Sequence, residues 1–339
     1  MITPSPGSRL TVANQPIEDW RQLWRDAVTD ARELLQLLDL TELASSLPAG
    51  DAGFALRVPR GFVARMRKGD AHDPLLLQVL PQLAENLDAP GFSQDAVGDM
   101  ASRAAHGVLH KYEGRALLIA SGSCAINCRY CFRRHFPYGE EIAAAGQWRQ
   151  ALAHVRQDPS ISELILSGGD PLSLTTAKLV ELTTGLAQVP SVTRLRIHTR
   201  LPVVLPERID DGLVQWLSAS PHQKVVVLHA NHPHEFDASV DRACARLREA
   251  GVTLLNQAVL LRGINDDADT LAALSERLFA AGVLPYYLHQ LDRVSGAAHF
   301  EVDDQRALEL VEAIRQRLPG YLVPRLVREV GGDASKRPL

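Results

Sequence analysis

The chain has 339 residues, 46% hydrophobic and 22% charged, near the averages for folded globular chains and enough for one large domain or two smaller ones. A formal net charge of −4 gives no electrostatic reason to expect nucleic acid as a partner, and four cysteines in this length exclude a disulfide-stapled secreted scaffold. The opening MITPSPGSRL has no apolar core for a signal peptide, and no run of ~18 apolar residues could span a bilayer, so a cytoplasmic chain with no membrane partner is expected.

The first predicted element is a helix. From Trp20 the apolar positions Leu23, Trp24, Ala27, Ala31, Leu34, Leu35 and Leu38 recur at helical spacing and make a packing face. Short helices broken by Gly and Pro are expected in PRGFVARMRKGD and DPLLLQVLPQ. From Arg115 the rhythm changes, and short apolar runs alternate with longer amphipathic ones. The runs are 116–120, 163–166, 194–197, 224–228, 253–259 and 285–288, and after the first gap they start about thirty residues apart, the length of one β/α unit. Six such units predict a β/α barrel or part of one, with a doubly wound open sheet as the alternative.

Polar residues follow every run. The second leads into Ser167, Gly168, Gly169, Asp170 and Pro171; the third into His198, Thr199 and Arg200; the fourth into His229, Asn231 and His232. The fifth holds Asn256 and Gln257, and the sixth ends in His289, Gln290 and Asp292. In a β/α barrel the carboxyl ends of the strands carry the active site, so the site is expected there.

The first run leads into SGSCAINCRYCFRRHFPYG, which holds Cys124, Cys128 and Cys131. Three thiols cannot close into disulfides among themselves. A structural zinc would need a fourth ligand, for which His135 or Cys244 could be proposed. The CxxxCxxC spacing instead wraps three thiolates around an iron–sulfur cubane and leaves the fourth iron open, a place for substrate. A cluster that only carried charge, as in an electron-transfer module, would need His135 to saturate it. Cys244, in the helical run DRACARLREAG, reads as an ordinary buried thiol.

CxxxCxxC after the first strand of a β/α barrel resembles the radical S-adenosylmethionine enzymes, and SGGDP resembles their loop for the methionine amino group. CRYCFRRHFPY, LSGGDPL, RIHTRLPVVLPERI, ANHPHE, LNQAVLLRGIND, PYYLHQLDRVSGAAHF and GYLVPRLVREVGGDASK are similar to lysine 2,3-aminomutases. LRVPRGFVARMRKGDAHDPLL and the stretch from Gly107 to Tyr138 resemble the short bacterial form, which makes (R)-β-lysine for elongation factor P.

The resemblance implies a partial (β/α)6 TIM-type barrel over 106–330, a helical region over 1–105, and a C-terminal segment, 331–339, carrying a coenzyme lysine. It implies an isomerase moving the amino group of L-lysine to the adjacent carbon, with a [4Fe–4S] cluster on Cys124, Cys128 and Cys131, S-adenosyl-L-methionine, and pyridoxal 5′-phosphate on Lys336. Without the resemblance, Lys336 reads as a frayed tail residue. His110, Lys111, Tyr112 and Arg115 become candidates for pyridoxal phosphate, and Ser167, Gly168, Gly169, Asp170, His198, His229, Asn231 and Gln257 for cofactor generally. Arg133 is implied for the substrate carboxylate, and Asp292 and Glu329 for its ε-ammonium, Glu329 standing where the longer enzymes have aspartate. The chain ends before the zinc cysteines of the longer members, and no such zinc is expected. Implied partners are a reducing electron donor such as flavodoxin and, functionally, the elongation factor P lysine ligase; a homo-oligomer is left open. The alternatives are an aminomutase serving another pathway and one acting on glutamate or another amino acid.

Overall fold

The apolar stripe beginning at Trp20 forms two helices rather than one, α1 (Trp20–Arg25) and α2 (Ala31–Leu37). The break falls where Asp30 adopts an extended backbone and its carboxylate accepts from the Arg32 N–H at 2.6 Å, which starts α2 afresh. Val28, between the helices, pairs through its backbone with Val58. The helices α3 (Arg60–Val63) and α4 (Pro74–Leu77) lie in the two Gly- and Pro-punctuated segments, and Asp73 with Pro74 opens α4. This computed structural model describes residues 19–48, 54–146 and 148–339, and the opening MITPSPGSRL lies outside them.

Two strands precede the first expected one: β1 (Arg103–Ala105) and β2 (Val108–Tyr112) run antiparallel into β3 (Arg115–Ser121). Strand–helix units follow. They are β3 with α5 (Arg149–Gln157), β4 (Glu163–Gly168) with α6 (Thr176–Leu186), and β5 (Arg194–Thr199) with α7 (Leu201–Val204) and α8 (Asp211–Ala219). Next come β6 (Gln223–Leu228) with α9 (Ala238–Glu249), β7 (Val252–Val259) with α10 (Ala268–Ala280), and β8 (Leu284–His289) with α11 (Asp304–Arg315). The chain then forms β9 (Arg325–Arg328) and the antiparallel β10 (Arg337–Pro338). Asp and Thr side chains cap the crossover helices, such as Asp237 on α9 and Asp267 on α10.

Spatial order in the sheet follows chain order from β1 to β10, and β3 to β9 are parallel. A doubly wound sheet reverses its strand order at a switch point. No reversal occurs, so the partial (β/α)6 barrel is the fold and the open-sheet alternative fails. Leu34, Phe62 and Leu75 of the N-terminal helices belong to the same buried apolar cluster as Leu118, Leu164 and Leu195 of the strands. The described N-terminal helices therefore share one core with the barrel. No helix among the described residues is long and apolar enough to cross a membrane.

Strand alternation positions the site. On β4 and β5, Leu164, Leu166, Leu195 and Ile197 are buried in that core, whereas Ile165, Ser167, Arg196 and His198 line a cavity. A closed TIM barrel packs its interior with branched aliphatic layers. Here the interior holds a space of about 1150 Å³ in which Arg, Lys, His, Tyr and acidic side chains stand beside aliphatic ones such as Leu109, Leu117 and Ile165.

Candidate active site

The loop after β3 carries the three thiols. It is pinned to the turn after β4 by Gly169 N–H donating to Ser121 O at 2.6 Å and Asp170 N–H donating to Ser123 O at 2.8 Å. The approach is so close that a Cβ on Gly169 would sit 2.7 Å from Ser123 O, and one on Gly168, at φ +112°, 2.7 Å from Ser121 O. Asp170 ties on the next strand by accepting from Thr199 Oγ1 at 2.7 Å and from the Arg200 and Leu201 N–H groups at 2.8 and 3.1 Å.

Cys124, Cys128 and Cys131 are half-buried and free. Burial pushes the Cys124 thiol well above its ordinary range, and Cys131, Asp170 and Cys128 push it further; burial and then Cys128 raise Cys131 to about 11. Cys124 and Cys131, held in the thiol form by burial and their neighbours, need a strongly cationic centre to become thiolates. Among the described residues no group of three or more His, Cys, Asp and Glu converges on a single metal ion. Thiolates of a cubane sit on separate irons and need no common centre, so the donor set fits a cluster. His135 Nε2 lies 3.1 Å from Ser295 O, and Cys244 is buried in α9 with its thiol pushed by burial to about 12. Neither joins the three thiols.

The cavity begins beside this loop at Phe132 and Arg133. Arg133 donates through Nε to Asp99 Oδ2 at 2.7 Å and through Nη1 to Ser167 Oγ at 2.9 Å. Lys111, on β2, reaches Asp99 Oδ1 at 2.7 Å and Val97 O at 2.8 Å. Glu329, 3.6 Å from Lys111 Nζ, accepts from Tyr112 Oη and from Lys336 Nζ, both at 2.6 Å. Arg115 lies over the Tyr112 ring at 4.6 Å. The ring of cations suits an anionic phosphate.

Four cavity-lining side chains carry buried polar atoms with no partner among the described residues: Asp292 Oδ1, His289 Nε2, Gln257 Oε1 and Arg196 Nε. Buried polar atoms are paired in the great majority of cases, so orphans facing a cavity mark a ligand site. Burial pushes Asp292 up to about 7, with Lys336 pulling the other way and Glu329 pushing it further. Burial also drives His198 and His289 well below the usual imidazole range and His229 to about 3, so these rings are neutral hydrogen-bonding groups.

The cavity therefore gathers Lys111, Tyr112, Arg115, Arg133, Ser167, His198, His229, Gln257, Asp292, Glu329 and Lys336. Five sequence candidates lie elsewhere. His110 alternates away from Lys111 on β2, and its half-buried ring meets His154 of α5 at 5.4 Å, outside the cavity lining. The Asn231 carboxamide is already occupied, donating to Gln78 and Tyr130 and accepting from the Val259 N–H. Gly168, Gly169 and Asp170 join loops outside the cavity lining. Residues that sequence reasoning missed are Asp99, Arg196, Tyr286 and Tyr287; only Arg196 had a signal, the alternation of RLRIHT.

A radical SAM superfamily model matches residues 118–274. The L-lysine 2,3-aminomutase of Escherichia coli (strain K12) is 51% identical over 95% of this chain and 94% of its own length. That of Haemophilus influenzae is 44% identical over 94% of this chain and 95% of its own length. The chain belongs to the lysine 2,3-aminomutase family. It is an isomerase of the radical SAM type, and membership implies a [4Fe–4S] cluster, S-adenosyl-L-methionine and pyridoxal 5′-phosphate. The family also includes a longer protein, the L-lysine 2,3-aminomutase of Clostridium subterminale, 31% identical over 97% of this chain and 79% of its own length.

Proposed function

We propose that the chain converts L-α-lysine to β-lysine. The observation that carries this reading is Asp292, a half-buried carboxylate whose Oδ1 is buried and unpaired, which shares one cavity with a second acid, Glu329, and a cation, Arg133. A substrate with a carboxylate at one end and an ammonium at the other needs such a set, because an isolated buried charge costs several kcal/mol. Glutamate would bring its own carboxylate against two others, which disfavours an aminomutase for that amino acid.

In this reading Cys124, Cys128 and Cys131 would hold the cluster, with room beside it for S-adenosylmethionine. Lys336 would carry pyridoxal phosphate, and Lys111, Tyr112 and Arg115, which line the same cavity, would help to hold it. When bound, these cofactors would supply the radical chemistry that breaks an unactivated C–H bond and the conjugated electron system through which nitrogen can migrate. The protein's own share is positional. Arg133, braced by Asp99 and Ser167, presents its remaining guanidinium edge to the substrate carboxylate. Glu329 Oε2, 2.6 Å from Lys336 Nζ, holds that nitrogen and is placed to take a proton from it. The arriving ε-ammonium then takes over Glu329 and Asp292. A low-potential donor such as flavodoxin would reduce the cluster. The use of β-lysine on elongation factor P, with a ligase consuming it, is supported by the likeness of the stretch Leu56–Leu76 to the short bacterial form.

Reduced, iron-reconstituted protein incubated with S-adenosylmethionine and L-lysine should yield β-lysine by mass spectrometry, and glutamate should be returned unchanged. Equal turnover of glutamate would overturn the reading. Alanine at Cys124, Cys128 or Cys131 should remove cluster iron and lower S-adenosylmethionine cleavage by roughly 10²-fold or more, while Cys244→Ala should keep both. A mass shift of elongation factor P that disappears on deleting the gene separates its modification from β-lysine made for another pathway.

A further inference from the structure

Arg200 follows β5 in the HTR stretch and has no part in the reaction proposed above. Its side chain is 7% exposed. Nη1 donates to Cys128 Sγ and to Tyr130 Oη, both at 2.7 Å, and Nη2 donates to Gln78 Oε1 at 2.7 Å and Glu235 Oε2 at 2.9 Å. The anchors are themselves fixed. Glu235 is fully buried and accepts from the Asn231 and His232 N–H groups at 2.8 and 3.1 Å. Tyr130, inside the CRYC turn, accepts from Asn231 Nδ2 at 2.7 Å.

A buried Arg–Glu pair serves stability poorly, since well-packed apolar residues of equal volume often do as well or better. The pair also does not require that the guanidinium face a sulfur. That contact has a specific electrostatic consequence. Hydrogen bonds and positive charge at a cluster's ligand sulfurs stabilise the more negative, reduced state and raise the reduction potential. We propose that Arg200 sets the reduction potential of the cluster through its hydrogen bond to Cys128, and that Glu235 holds the guanidinium in place and moderates its charge. The step it governs is the uptake of one electron from the external low-potential donor, [4Fe–4S]²⁺ to [4Fe–4S]⁺, with no bond made or broken at Arg200. Arg200 is thus a tuning and positioning residue.

The inference rests on the cluster assignment, and the test separates the two. Full-length reconstituted protein is poised with dithionite and dye mediators, and the reduced cluster is followed by electron paramagnetic resonance. Glu235→Gln keeps the guanidinium and removes its counter-charge, so the midpoint should move up. Arg200→Met combined with Glu235→Gln removes the donor without stranding a charge, and the midpoint should move down by about 59 mV, a tenfold fall in the reduced-to-oxidised ratio at fixed potential. Opposite shifts at unchanged iron content are not produced by a structural role. Should the double variant hold no cluster, the single variant decides alone: an unchanged or lowered midpoint overturns the inference. A wild-type protein with no cluster signal overturns the cluster assignment and this inference with it.

Discussion

Replacing Lys336 by alanine should abolish turnover, lowering kcat by roughly 10³-fold or more, while cluster iron stays at the wild-type level. Lys336 sits three residues from the end of the chain, yet the antiparallel pairing of Arg337 with Arg328 folds that end back onto the sheet. Its Nζ is 5.9 Å from the Tyr287 ring centroid and on Glu329. Lys111, the other lysine of the cavity, is committed to Asp99 and the Val97 carbonyl, whereas Lys336 has a single strong partner that can be exchanged. Borohydride treatment of protein loaded with pyridoxal phosphate should therefore fix the coenzyme to the C-terminal peptide, and Lys336→Ala should lose the label. A label on Lys111 would sink the assignment. The substitution should also make stability less sensitive to acid. Burial pushes Glu329 up, but Lys336 first, then Tyr112 and Lys111, bring it net below the usual carboxylate range. A depressed carboxyl contributes stability above its unfolded pKa and loses it as pH falls through the folded value. Without Lys336 that contribution shrinks, and the melting temperatures of wild type and variant should converge in acid.

The barrel was legible because its strands are short apolar runs at regular spacing, and β3 to β8 fall where those runs predict them. The strands that escaped notice are β1, β2, β9 and β10. β2 reads VLHKY, with polar residues on both faces, and β10 is two residues long. Neither carries an apolar alternation, because one face of β2 lines a polar cavity and β10 is exposed. The N-terminal stripe was misread as continuous for the opposite reason: apolar periodicity runs through Val28 and hides the cap at Asp30. Periodicity reports burial, and burial continued across a break in the helix.

The site shows a similar division. Single-residue matches to a family placed Arg133, Asp292, Glu329 and Lys336 in one cavity although they lie far apart in sequence. Composition could not have done so, and it gave no hint of Asp99, the acid that braces both Arg133 and Lys111. His110 shows how adjacency in a motif misleads: it stands next to Lys111, and strand alternation sends the two side chains to opposite faces. Asp170 and Asn231 are polar and buried, as site residues often are, but their bonds are spent on backbone and side chains around the cysteine loop. Buried polarity marks a ligand site only where an atom is left over, as in Asp292.

Exchanging Asp292 for alanine should raise the lysine KM by about 10²- to 10³-fold, because removing one partner of a buried charge pair costs about 3–5 kcal/mol and each 1.4 kcal/mol is tenfold. Glu329 shares the load and keeps the effect toward the lower end. The pH dependence is the sharper test. Burial raises Asp292 to about 7 in the ligand-free protein, so near neutrality a large share of it is protonated. The substrate ammonium binds the ionised form, and below that value binding must expel a proton. Lysine affinity should thus be flat above about pH 7 and fall by up to tenfold per unit below it. Stability moves the other way. A carboxyl whose folded pKa lies above its unfolded value of about 3.9 contributes stability that is full below that value and is lost as pH rises to about 7. Lysine should therefore protect the protein against heat most strongly on the alkaline side of that transition. Asp292→Asn, which keeps the shape and cannot titrate, should flatten the KM profile and abolish the pH-dependent part of the protection. A variant whose KM rises in acid as steeply as the wild type's would show that another group governs recognition of the ammonium.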